Sequence, residues 1–190
     1  MARFWTADLH FGHGNIIRYS HRPFTDVAEM DRALVERWNQ VVSPDDEVWV
    51  LGDVAMGTIA DSLAHVSDLH GRKVLVAGNH DRCWFGHGER AESWVDRYLD
   101  AGFDRVIQGS TTTQVGGSEV LVCHFPYQGD SHDEDRYTEH RPTDRGEWLL
   151  HGHVHERWKV LDRQVNVGVD VWDWRPVTEA QVAAIVTGGT

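Results

Sequence analysis

Apolar and polar positions along this chain follow two rhythms, one suited to strands and one to helices. RFWTADLH (3–10) opens as a short strand, followed by the Gly-rich turn FGHGN and a helical start at Asn15-Ile16-Ile17. Beyond Asp26, Val27, Met30, Leu34, Trp38 and Val41 recur at helical spacing, and Glu29 three positions after Asp26 predicts a capping box. SPDDE (43–47) ends that unit. EVWVLGDV then reads as a strand closed by Gly52-Asp53, and a helix is predicted over 58–69 with Ile59, Leu63 and Val66 on one face and Gly71 as its stop. RKVLVAGNHD repeats the strand pattern, ERAESWVDRYLDAG the helical one, and FDRVIQ follows.

The second half is richer in strands. TTTQVGGSEVLVCHFP predicts a hairpin through Gly116-Gly117. Residues 126–146 are polar and carry no period, which predicts a loop or a lid. EWLLHGHVH, ERWKVLD and QVNVGVDVWDW read as three strands, and TEAQVAAIV as a closing helix with a Thr178–Gln181 capping box. Neither repeats nor a dividing linker interrupt the pattern. It predicts one α/β domain over 1–190, a sandwich with two mixed sheets.

Composition narrows the function. A chain of 190 residues that is 41% apolar, with nine tryptophans, can bury a full core. Its formal charge of −12 argues against a protein built to grip long nucleic acid. Two separated cysteines fit a reducing compartment, and neither a leader nor a membrane span is evident, so a soluble cytoplasmic protein is expected. Thirteen histidines change the picture. Clustered with aspartates, they suggest metal.

Five apolar runs end in a potential ligand: Asp8-Leu9-His10, Gly52-Asp53, Gly78-Asn79-His80-Asp81, Cys123-His124 and Gly152-His153-Val154-His155. Strand alternation would aim Asp8 with His10, and His153 with His155, to one side. In open α/β sheets ligands gather at the carboxyl ends of strands. In this order, DLH, GD, GNHD, CHFP and GHVH resemble the calcineurin-like metallophosphoesterase superfamily over about residues 5 to 170.

The resemblance implies a four-layer α/β/β/α sandwich with the metals at the sheet ends. It assigns one metal to Asp8, His10 and His155, the other to Asn79, His124 and His153, and a bridging role to Asp53. Four imidazoles, two carboxylates and an amide oxygen are too rich in nitrogen for magnesium or calcium. They suit two divalent transition-metal ions, manganese first, with iron, zinc, cobalt or nickel as alternatives. The implied chemistry is phosphoester hydrolysis by a hydroxide held between the metals. His80 would protonate the leaving alkoxide, and Asp81 would fix the orientation of His80.

The expected substrate is a small phosphoester, with nucleotide or cyclic nucleotide diesters preferred because the intact GNHD resembles members acting on diesters. A phosphomonoesterase or protein phosphatase is the alternative within enzymes. A non-catalytic metal-binding scaffold on the same fold is the alternative from another class. His13 and Arg22 are candidate substrate contacts, with capping and surface pairing equally open for both. His151 lies outside GHVH and reads as a supporting or core histidine. Trp84 reads as aromatic packing. Asn166 and Asp170, which alternate with valines, either support the site or form a solvent-facing row.

Overall fold

The computed structural model describes residues 1–188. One sheet runs in the order β10 (Val177–Thr178), β1 (Arg3–Thr6), β2 (Glu47–Val50), β3 (Arg72–Val76), β4 (Arg105–Ile107). β1 to β4 are parallel, and only β10 is antiparallel. The other runs β5 (Ser110–Val115), β6 (Ser118–Cys123), β7 (Trp148–His151), β9 (Gln164–Asn166), β8 (Val160–Leu161). Here β6, β7 and β9 are parallel, and β5 and β8 are antiparallel edges. Both sheets are mixed, as the sequence predicted.

Alternation sorts the strand residues between two cores. Trp5, Trp49, Leu51, Val74 and Val76 pack between the sheets against Val120, Val122, Leu150 and Val165. The opposite face of the first sheet carries Phe4, Val48, Val50 and Leu75. It packs with α1 (Gly14–Tyr19), α2 (Val27–Val41), α3 (Ile59–Ala64) and α4 (Glu89–Asp100), which contribute Ile16, Met30, Leu34, Trp38, Leu63 and Tyr98. On the second sheet, Leu121, Cys123 and Leu149 join Phe125, Tyr127 and Tyr137 from the chain after β6. The closing helix α5 (Glu179–Val186) sends Val182 and Val186 into the inter-sheet core.

Several local expectations need correction. Asp26 caps α2 by accepting from Glu29 N, but the Glu29 carboxylate turns back to Thr25 N and Oγ1, so the capping box is only half formed. Thr178 and Gln181 form theirs completely. β1 stops at Thr6 and β9 at Asn166; beyond Asn166 the QVNVGVDVWDW segment becomes a 3-10 turn at Val169–Val171. Residues 126–146 form a loop whose one short helical element is the 3-10 turn Thr138–His140.

The parallel strands decide where chemistry can occur. β1, β2 and β3 deliver Asp8, Asp53 and Asn79 to one edge, while β6 and β7 deliver His124 and His153 to the facing edge. Backbone bonds continue past the strands and stitch the edges together: Asp8 N to Gly52 O at 3.0 Å, Gly152 N to His124 O at 3.0 Å, and Val169 N to Ala7 O at 3.1 Å.

Candidate metal centre and active site

Asp8, His10, Asp53, His153 and His155 all sit in the left-handed backbone region, at φ of 57°, 55°, 57°, 73° and 51°. Strand alternation therefore does not bring them together, contrary to expectation. Each has left its strand and turned sharply, a conformation that costs an L-residue about 1–2 kcal/mol. Tertiary bonds hold the turns: His10 N donates to Asp53 O at 3.0 Å, and His153 N to Asp8 Oδ2 at 2.9 Å. Left-handed turns compress each ligand pair into a concave corner that extended backbone would not make.

Two sets of donor atoms converge. Asp8, His10 and His155 each offer an atom within 4.8 Å of the others, as do Asp8, Asp53 and His124. Asp53 Oδ2 stands between them, 3.8 Å from His10 Nε2, 3.5 Å from His124 Nε2 and 4.0 Å from His80 Nε2. Asn79 Oδ1 lies 3.1 Å from His124 Nε2. The His153 ring lies beside that of His124, with centroids 5.2 Å apart. All seven predicted ligand residues are buried and share one corner of the molecule.

The electrostatics fit a cation. Burial, opposed by His155 and reinforced by Asp53 and Asp170, pushes the Asp8 carboxyl up to about 8. Burial pushes His124 down to about 4 and His10 well below the ordinary imidazole range. Asp53 is lowered despite its burial, because His124 and His80 outweigh it. His10 Nε2 is buried without a hydrogen-bond partner among the described residues. Unprotonated imidazole nitrogens facing crowded carboxylates are the donors that a divalent transition metal takes, and its charge would relieve the crowding.

Two predicted roles are overturned. Asp81 does not orient the His80 ring. Its oxygens accept from Gly78 N at 2.8 Å, Asp53 N at 2.9 Å and Val54 N at 3.0 Å, so it ties the GNHD turn to the backbone carrying Asp53. Arg22 does not face a phosphoryl group. It is buried, forks onto Asp170 through Nε and Nη2 at 2.9 Å each, and donates to Asp8 O and Leu9 O. Satisfied in that way, it braces the turn carrying Asp8 and His10.

His80 and His13 line a cleft of about 510 Å³ together with Ile16, Tyr19, Met56, Arg136 and His155. The His80 side chain is 37% exposed, and its backbone N donates to Asp53 Oδ1 at 2.9 Å. His13 Nδ1 lies 3.3 Å from His10 Nδ1; burial and nearby His80 lower it to about 4. It is thus a neutral hydrogen-bonding group at neutral pH. His151 is a buried histidine with Nδ1 at 2.7 Å from Gly152 O. Trp84 packs among Phe85, Phe125 and Tyr137, as expected.

Other contributors were weaker or silent in the sequence. Asp170, read ambiguously there, is buried and stands 3.5 Å from His155 Nδ1. Asn166, equally ambiguous, donates to His155 O at 2.7 Å and so supports the turn. Asp130 was missed: it lies in the polar loop, yet its carboxylate is 2.9 Å from His153 Nε2. Acidic residues crowd that stretch, and nothing in their order marks the one that folds inward.

Fold, donor set and cleft together define a metal-dependent phosphoesterase. Residues 3–176 match the calcineurin-like phosphoesterase superfamily domain, and the chain belongs to that superfamily. It is 36% identical to the Gene 66 protein of Mycobacterium phage L5, over 90% of this chain and 88% of that one. Its identity to the Gene 66 protein of Mycobacterium phage D29 is 34%, covering 95% of each. A solved Aquifex aeolicus protein of unknown function shares the fold, with a TM-score of 0.72 and 24% identity over 97% of this chain and 99% of that one.

Proposed function

We propose that this enzyme is a dinuclear phosphodiesterase acting on small nucleotide or cyclic nucleotide diesters. Asp8, His10 and His155 would hold one ion, Asn79, His124 and His153 the other, with Asp53 shared and manganese the preferred metal. When bound, the two cations supply Lewis-acid neutralisation of phosphoryl charge and an activated water. His80, which lines both clefts, would give a ring proton to the leaving alkoxide. His13, on the cleft wall, would hydrogen-bond substrate.

The observation that carries the diester reading is that two clefts meet at His80 and Met56. One, of about 510 Å³, runs past His13, Ile16 and Tyr19; the other, of about 350 Å³, runs past Arg82, Arg90 and Trp94. A diester has an organic group on each side of phosphorus, and each cleft can take one. A monoester leaves one of them without an occupant. Among the described residues, no helix is long and apolar enough to cross a membrane. Buried, free Cys83 and Cys123 fit the proposed cytoplasmic setting.

The test compares bis-p-nitrophenyl phosphate with p-nitrophenyl phosphate, using metal-stripped protein with and without Mn²⁺. Metal-dependent turnover that favours the diester is expected. Preference for the monoester would overturn the diester reading in favour of a phosphomonoesterase. Loss of both activities in metal-loaded protein would favour a binding scaffold.

A further inference from the structure

Asp130 is the most heavily engaged carboxylate in the loop, and one of its partners belongs to the metal site. Oδ2 lies 2.9 Å from His153 Nε2 and accepts from Arg136 N at 3.0 Å. Oδ1 accepts from Arg136 Nη2 at 2.8 Å and from His132 N at 3.1 Å. Arg141 Nη2 approaches Oδ2 at 3.4 Å and also donates to Arg136 O at 2.8 Å. The same loop supplies Tyr137, whose ring centroid is 5.8 Å from that of His153 and meets it edge-on, while Phe125 closes another side at 5.1 Å.

We propose that Asp130 is a positioning residue for His153: it accepts a hydrogen bond from Nε2–H, commits Nδ1 to the second cation, and fastens the loop to the metal centre. This rests on the dinuclear reading above. The chemistry is that of donor counting. N–H groups of Arg136 and Arg141 already donate to both Asp130 oxygens, so the carboxylate faces His153 as an acceptor. His153 must therefore donate from Nε2, and in a neutral ring this leaves the lone pair on Nδ1. A carboxylate behind a ligating imidazole fixes its tautomer and raises its basicity.

The loop thereby acquires two functional faces. Asp130 and Tyr137 point back to His153, while Ser131, His132 and Arg136 line the substrate cleft. One segment of chain orients a ligand and walls the cleft, so the two properties depend on the same fastening.

Calorimetric titration of the metal-stripped protein with MnCl₂, alongside nitrogen-15 NMR of the histidine rings, tests this. Wild type is expected to bind two ions and to hold His153 in the Nε2–H tautomer before metal is added. Asp130→Ala should weaken one of the two sites by about 10- to 100-fold, leave the other unchanged, and release the tautomer. Asp130→Asn, which still accepts a hydrogen bond, should lie between. Arg157→Ala removes a bond to Ser131 O in the same loop without touching Asp130, and should keep both affinities and the tautomer. Two wild-type affinities in Asp130→Ala would overturn the proposal, as would an equal loss in Arg157→Ala. A wild type that binds a single ion would remove the dinuclear reading, and the proposal with it.

Discussion

Arg22 has five N–H groups, and each has an acceptor inside the protein: Asp170 twice, the carbonyls of Asp8 and Leu9, and Met30 Sδ at 3.5 Å. Sequence placed a cation near the first motif and left it open between a substrate contact and capping or surface pairing. Whether a guanidinium is free depends on partners 148 positions away, which no local pattern encodes. Removing one side of a buried pair strands the other. Arg22→Met should therefore destabilise the metal-free protein by about 3–5 kcal/mol, measured by urea unfolding. A loss below about 1 kcal/mol, the range of exposed pairs, would mean that Asp170 is not stranded. His80 is different, because its side chain lines the cleft and is partly exposed. His80→Ala should keep the metal content of wild type and lose about 10²–10⁴-fold in turnover of an alkyl diester. The loss should be much smaller for a p-nitrophenyl leaving group, which departs without a proton. Equal turnover of the alkyl diester by both proteins would exclude the role.

At the level of elements, the informative regions are the turns that follow the strands. The strands were readable because their apolar alternation is local. The left-handed turns at Asp8, Asp53 and His153 were not, since these residue types carry no signal for positive φ beyond a modest preference of aspartate and histidine. Glycines gave a partial clue. Gly52 has φ +86°, and a Cβ there would stand 2.5 Å from His124 Nδ1 and 2.7 Å from Gly78 Cα. At Gly78, a Cβ would collide with Asp53 Oδ1. These positions let two strand ends and a histidine from the other sheet approach within bonding distance. Gly52→Ala should cost about 1–3 kcal/mol from overpacking and displace His124, whose Nδ1 sits 2.7 Å from Leu51 O. Thermal unfolding and manganese content by atomic absorption would both register it. Wild-type values for both would show that the turn has slack.

Over the whole molecule, the order of chemistry along the chain becomes an arrangement in space because parallel strands point the same way. β1, β2 and β3 run parallel in one sheet, and β6, β7 and β9 in the other, so motifs separated by most of the sequence meet at one edge. That much was legible from alternating strands and helices and from the five strand-end motifs. Their meeting depends on register, and on the pairing of Ala7 with Gly168 across the two sheets, which pattern alone does not give. The inward fold of Asp130 was equally hidden, because burial in a loop depends on what packs beneath it.

If the metals join the two sheet edges, they stabilise the folded chain by linkage. Stripped protein should gain about 2.7 kcal/mol for each ion bound when manganese is restored at a hundred times its dissociation constant. This would be seen as a rise in urea midpoint; an unchanged midpoint would contradict cations bound only by the folded site. The most direct measurement is anomalous diffraction at the manganese edge from crystals grown with Mn²⁺. Two peaks about 3.5–4 Å apart are expected on either side of Asp53, one against Asp8, His10 and His155 and the other against Asn79, His124 and His153. A single peak, or peaks away from Asp53, would contradict the dinuclear centre.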